Sequence, residues 1–167
     1  HERLYCIRYE ELIVDENDNT KIVRHYIEPT KYDIEREEKV VTLLNERFEE
    51  WQKKGYIPDS KIENGWNTNQ LIFEKGWCYW NNLFNPRQLL TIGLLMELLD
   101  THSRNQYEKI ASLLSINRFA DWNSKLCIWN SGAGAEKAQN TFSNQSLNTL
   151  FNYGTRALNT LKSGTIW

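Results

Sequence analysis

Several things are scarce in this sequence, and each scarcity excludes something. Cys6, Cys78 and Cys127 are the only cysteines; they are far apart, odd in number and form no C-x-x-C pair. That excludes a zinc ribbon or a secreted disulfide framework and fits a reducing, cytoplasmic setting. His25 and His102 stand apart from any Cys, His or carboxylate cluster, which argues against a metal centre. Neither charge is in excess: 20 Lys and Arg face 22 Asp and Glu, a net charge of -2. Any nucleic-acid contact must therefore come from a local patch rather than a global field. The longest apolar run, Leu89 to Leu99, is interrupted by Glu97 and falls short of the ~20 residues a bilayer span needs. There is no charged-then-apolar leader. The chain opens on His1 and has its single methionine at Met96, so it is expected to be a fragment or processed piece of a larger protein.

What is present reads as an ordinary globular domain, with 40% hydrophobic and 25% charged residues and an unusual seven Trp and eight Tyr. Leu4–Tyr9, Leu12–Val14 and Lys21–Ile27 are rich in β-formers around the turn cluster Asp15–Asn19, which predicts a β-hairpin. Thr30 and Asp33 have capping-box spacing. The helix they open, with Ile34, Val41, Leu44, Phe48 and Trp51 at helical intervals, runs to about Lys54 and stops at Gly55. Tyr56 to Lys75 reads as an irregular connection anchored by Trp66 and Phe73.

Asn85 as N-cap and Pro86 at the first helical position start the central helix, whose apolar residues cover most of its circumference. Ser103 is expected to cap a third helix that packs on the central one through Tyr107, Ile110, Ala111, Leu114, Arg118, Asp121 and Trp122, widened by Leu113, Ile116 and Phe119. The predicted class is α+β, mainly α. It comprises a β-hairpin segment over 1–29 and a helical domain of three or more packed helices over 30–167, together one compact unit.

Candidate chemistry is sparse. The carboxylates Glu35, Glu37, Glu38, Glu46, Glu49 and Glu50 follow i, i+4 charge spacing and read as a solvated helix face. Gly132 and Gly134 are too close for a Walker loop, and Lys137 comes too late; a cofactor turn would need a buried strand ahead of them, for which Lys125–Asn130 is poorly suited. There is no G-x-S-x-G elbow and no arguable nucleophile. One cluster is polar and planar: Arg87 and Gln88 beside Asn85, and Lys137, Asn140 and Gln145 with Asn144 and Asn148. Arg, Asn and Gln read base edges bidentately, and a helix N-terminus accepts phosphate, so Arg87, Gln88, Lys137, Asn140 and Gln145 are the candidate nucleic-acid contacts. The alternative is that these amides cap helices and that Arg87 ties two elements together.

Three stretches carry a family resemblance: Gly76-Trp77 to Trp80 with Leu83-Phe84-Asn85-Pro86-Arg87-Gln88-Leu89-Leu90; Asn123 to Trp129; and Glu136-Lys137 to Phe142 with Gln145-Ser146-Leu147. Together they resemble the middle-to-late part of large prokaryotic adenine-specific DNA methylases that contain a zinc ribbon. Arg24 to Thr30, with Asp33, resembles the segment following that ribbon.

The resemblance implies a parent enzyme that transfers a methyl group from S-adenosylmethionine to adenine in DNA. It also implies an F-x-G-x-G cofactor turn and a [DNS]-P-P-[YF] motif, and neither is in this chain, whose prolines Pro29, Pro58 and Pro86 are all single. The expectation is an accessory or DNA target-positioning region, inactive by itself, with no cofactor of its own. Its partners are DNA and the remainder of the parent methylase, and no membrane. The alternative is a structural insert or protein-interaction module without DNA contact, whose mark is an exposed apolar patch.

Overall fold

The computed structural model describes residues 4–132 and 136–142. The α+β, mainly helical class holds: an antiparallel hairpin comes first, then helices. The chain divides into two compact units, residues 1–40 and 41–167, so the division falls inside the first helix.

In the first unit, β1 (Ile7–Val14) pairs with β2 (Thr20–Ile27), Ile7 opposite Ile27 and Val14 opposite Thr20. The turn is closed by Asp15, whose carboxylate accepts from the Asn17 and Asn19 N–H groups at 2.9 and 2.8 Å. The Glu10 carboxylate holds Arg8 of its own strand at 2.8 Å and Arg24 across the ladder at 3.4 Å. The first helix, α1 (Lys31–Asn45), opens on the capping box its sequence announces: Asp33 Oδ2 accepts from the Thr30 N–H at 2.9 Å, and Thr30 Oγ1 from the Asp33 N–H at 3.4 Å.

The expected single helix to Lys54 is broken. After Asn45 the Arg47 N–H bonds three residues back to Leu44, tightening the turn, and α2 (Phe48–Lys53) follows. Asn45 is a residue whose amide competes with the helical ladder, which makes it a natural breaking point. Gly55, at φ +73°, then ends α2 as the sequence predicts.

The stretch read as an irregular connection contains a short helix, α3 (Asn69–Phe73), that buries Leu71. Its expected anchors fail: Trp66 is 95% and Phe73 72% exposed, and Ile62 and Leu71 hold the segment instead. Phe73 follows Leu71 by two residues, ~200° around the helix, so burying the aliphatic side chain turns the ring outward.

A 3-10 turn (Trp80–Leu83) leads into α4 (Pro86–His102). Phe84, between them, packs on all three core clusters of the second unit. These are Leu44, Trp51, Tyr56, Ile57 and Leu89; Ile62, Leu71, Leu83 and Leu126; and Ile92, Leu99, Ile116 and Phe119. The sequence stretch around Phe84 is thus the hub of the helical unit.

Ser103 does not cap the next helix. Its hydroxyl donates to the Leu99 carbonyl at 2.6 Å, closing α4, and Asn105 caps α5 (Gln106–Trp122) by accepting from the Glu108 N–H at 3.0 Å. A connection of three residues joins α4 to α5, and the two helices pack on one another. Of the expected apolar side of α5, only the widening part with Ile116 and Phe119 is buried, while Tyr107, Ile110 and Leu114 are exposed. At ~100° per residue those three lie on roughly the opposite side of the helix from Ile116. This orientation is testable: Phe119→Ala is expected to cost about 3–5 kcal/mol, and Leu114→Asp less than about 0.5 kcal/mol, in urea unfolding. Equal losses would place Leu114 inside instead.

One polar tie closes the helical unit. The Tyr56 hydroxyl donates to Asp100 Oδ2 at 2.8 Å, and the Lys109 ammonium donates to Asp100 Oδ1, linking the end of α2 to α4 and α5. The Lys109 hydrogen bond first, and then that of Tyr56, hold the Asp100 carboxyl below the usual carboxylate range. The Asp100 hydrogen bond pushes the Tyr56 hydroxyl up. Asp100, with a lowered native value, contributes stability that is complete above about pH 4 and is lost as pH falls through that native value. Tyr56, with a raised one, contributes stability present below about pH 10 and lost as pH rises beyond it. Melting curves of Asp100→Asn across pH are expected to lose part of the acid limb seen in the parent chain; an unchanged limb would show that other carboxylates carry it.

Candidate nucleic-acid interface

Four of the five residues singled out by sequence as candidate nucleic-acid contacts are described. Gln88 is fully buried: its Oε1 accepts from the Asn85 N–H at 2.9 Å while Asn85 Oδ1 accepts from the Gln88 N–H at 2.8 Å. It is a helix cap turned inward, and its place as a DNA contact is corrected for that reason. Arg87, beside it, is half-buried in the first turn of α4. The following strands, β3 (Trp129–Asn130) and β4 (Lys137–Ala138), pair antiparallel, with Lys137 opposite Asn130 and exposed. Asn140, half-buried on the same segment as Lys137, donates to the Phe142 carbonyl at 2.7 Å. Gln145 lies outside the described residues.

Both pieces border α4 and α5. Thr141 pins the Lys137–Phe142 segment: its N–H and its hydroxyl both donate to the Asp121 carbonyl at 2.7 Å. The Lys125 N–H donates to the Leu83 carbonyl at 2.7 Å, which sets the segment after α5 against the entry to α4.

A second group, which the sequence reading missed, is better assembled. The Ile62 N–H donates to the Cys78 carbonyl and the Trp80 N–H to the Ser60 carbonyl, at 2.9 and 3.1 Å, around an antiparallel bridge between Lys61 and Tyr79. In this pattern the bridged residues are the non-hydrogen-bonded pair, whose side chains stand close on one face. The Lys61 ammonium accordingly lies 5.9 Å from the centre of the Tyr79 ring. Two residues before Tyr79, the Trp77 ring has the Lys125 ammonium 4.3 Å and the Lys75 ammonium 5.3 Å from its centre.

The backbone of this strip is fixed from beneath. Asn82 Oδ1 accepts from the Cys78 and Tyr79 N–H groups, both at 3.0 Å, and Asn81 Nδ2 donates to the Pro58 carbonyl at 2.9 Å. Trp77 packs against the Ile62, Leu71, Leu83 and Leu126 cluster, so one end of the ring is held by the core.

Ion pairing sets Lys61 and Lys75 apart from the cations of the α5 region. Arg104, Lys109 and Arg118 are neutralised by Glu108, Asp100 and Asp121. Lys61 and Lys75 form no ion pair among the described residues and meet only aromatic rings. Three ammonium groups and two rings gathered along one extended run form a surface for a polyanion that also carries flat apolar groups. The one signal in the sequence was the alternation Lys75-x-Trp77-x-Tyr79. Lys61 and Lys125 arrive from 16 residues before and 48 after Trp77, and no local pattern announces them.

The Gly132 turn, in which the Gly132 N–H donates to Asn130 Oδ1 at 2.8 Å, lies between two antiparallel strands. A dinucleotide-type cofactor turn joins a strand to a helix N-terminus instead. No step through S-adenosylmethionine is therefore assigned to this region.

Among the described residues no helix is long and apolar enough to cross a membrane, and no group of three His, Cys, Asp or Glu residues is placed to hold a metal ion. No protein-family model, no curated protein and no solved structure matches the chain.

Proposed function

We propose that this chain is an accessory, DNA-positioning region of an adenine-specific DNA methyltransferase, with the cofactor and catalytic motifs carried by the remainder of that protein. The observation that supports it is the strip of Lys61, Lys75, Trp77, Tyr79 and Lys125, with Lys137, Arg87 and Asn140 as further polar groups of the same helical unit. Lysines of this kind hold phosphate without reading sequence, which is the task of a region that positions a substrate for chemistry performed elsewhere. The proposed role is positioning, with catalysis left to the remainder of that protein. The test is anisotropy of a labelled duplex and of its labelled single strand at rising salt, where affinity is expected to fall steeply; no binding of either at low salt would overturn the reading.

A second reading, a protein-interaction insert without DNA contact, is favoured by one observation. Tyr107, Ile110 and Leu114 form an apolar face on α5 that no described residue covers, 85%, 48% and 64% exposed. Retention of the salt-independent background alone in the DNA titration, with co-purification of the rest of the parent methylase lost on Leu114→Asp, would move the assignment to this reading.

A further inference from the structure

We propose that the Lys61–Tyr79 and Lys75–Trp77–Lys125 strip takes single-stranded DNA, without sequence preference, and takes it in preference to the duplex. This rests on the DNA-positioning reading above and goes further by naming the form of DNA.

Trp77 and Tyr79 are two residues apart in sequence, and lysine ammonium groups lie 4.3–5.9 Å from their ring centres. Bases stacked in a duplex present only their edges in the grooves. Rings of this kind take the faces of bases that have been unstacked, and a paired duplex has no base face to offer them.

Magnitudes then decide what occupies the Tyr79 ring. The exposed Lys61 ammonium over the Tyr79 ring is held more weakly than a base stacked on such a ring. An arriving base therefore displaces Lys61 from the ring face. Displaced, the ammonium remains beside the ring, where the phosphates between successive bases run. The cation–π contact seen in the free protein is thus the resting position of a group whose working partner is the backbone.

Side-chain type sets the specificity. The strip contains lysine as its only cation, a point charge that cannot grip a base edge in two places, and none of the Arg, Asn or Gln side chains that do. Asn81 and Asn82, the nearest amides in sequence, are engaged with the Pro58 carbonyl and the 78–79 backbone. Every base has a flat face, so the platform is tolerant of sequence. It is also rigid before binding, because the bridge at Lys61, the Asn82 clamp and the core packing of Trp77 fix both rings.

The test uses the full chain and three labelled probes: a mixed-sequence single strand, an oligothymidylate of the same length, and the mixed strand annealed to its complement. Both single strands are expected to bind alike and more tightly than the duplex. Tyr79→Leu is expected to weaken single-strand binding about 5- to 150-fold, the equivalent of one base left unstacked, and Tyr79→Phe to restore it. Circular dichroism checks that each variant is folded. If Tyr79→Leu is not, Lys61→Gln and Lys75→Gln carry the test, each expected to reduce the single-strand salt slope by about 0.7. Duplex bound as tightly as single strand, a Tyr79→Leu that binds like the parent chain, or unchanged slopes in the lysine variants would overturn this inference and leave the DNA-positioning reading standing. No binding to any probe at low salt would overturn both.

Discussion

Gly93→Ala is expected to destabilise the helical unit by about 1–3 kcal/mol or more, against the ordinary preference of helices for alanine. The cause is one contact. A Cβ at Gly93 would lie 2.1 Å from two carbons of the Trp51 ring, and Trp51 has no exposed surface through which to retreat. The ring is trapped between α4 and the cluster of Leu44, Tyr56, Ile57 and Leu89. Trp51→Ala removes the ring itself and is expected to cost about 3–5 kcal/mol.

The double variant separates the two effects. With the ring gone, the Gly93 methyl meets open space, and Gly93→Ala is expected to turn from destabilising to stabilising by up to about 1 kcal/mol. Urea unfolding of the four proteins reads this directly. A Gly93→Ala penalty that persists without Trp51 would show that the strain lies in the α4 backbone instead.

The second large effect is electrostatic. Replacing Lys61, Lys75 and Lys125 together with glutamine is expected to lower the slope of log affinity against log salt for duplex DNA by about 2.7, at ~0.9 for each phosphate no longer neutralised. The Lys61 and Lys75 replacements are expected to leave the melting temperature close to that of the parent chain, because neither lysine forms an ion pair among the described residues. Arg87→Ala gives the contrast: half-buried at the α4 entry, it is expected to change the slope by no more than about 0.9. Equal slopes for the triple variant and the parent chain would place the DNA surface elsewhere, with Lys137 and Asn140 the next residues to replace. The lysine variants report on binding, whereas the Gly93 and Trp51 series reports on the fold that presents the strip.

Local features were legible in the chain before any packing was known. The Thr30–Asp33 box, the Asn85 N-cap, Pro86 at the first turn of α4, the Asp15–Asn19 turn and the stop at Gly55 all appear where their spacing put them. Each depends on backbone groups within a few residues, and such hydrogen bonds are indifferent to the rest of the chain. The α+β, mainly helical class follows from the same signals.

Packing chose which apolar side of an element turns inward. On α5 both sides carry apolar residues, so periodicity nominated Tyr107, Ile110 and Leu114, and contact with α4 selected Ile116 and Phe119. Among the tryptophans, Trp51 became fully enclosed and Trp66 stayed open, because Trp51 had a facing helix with a glycine to receive it. Gln88, nominated to read bases, was consumed by its own helix cap. The strip of lysines and rings needed Lys61, Trp77 and Lys125 brought from three parts of the chain, and contacts of that range are set by the packing of a shared core, which no window of sequence contains.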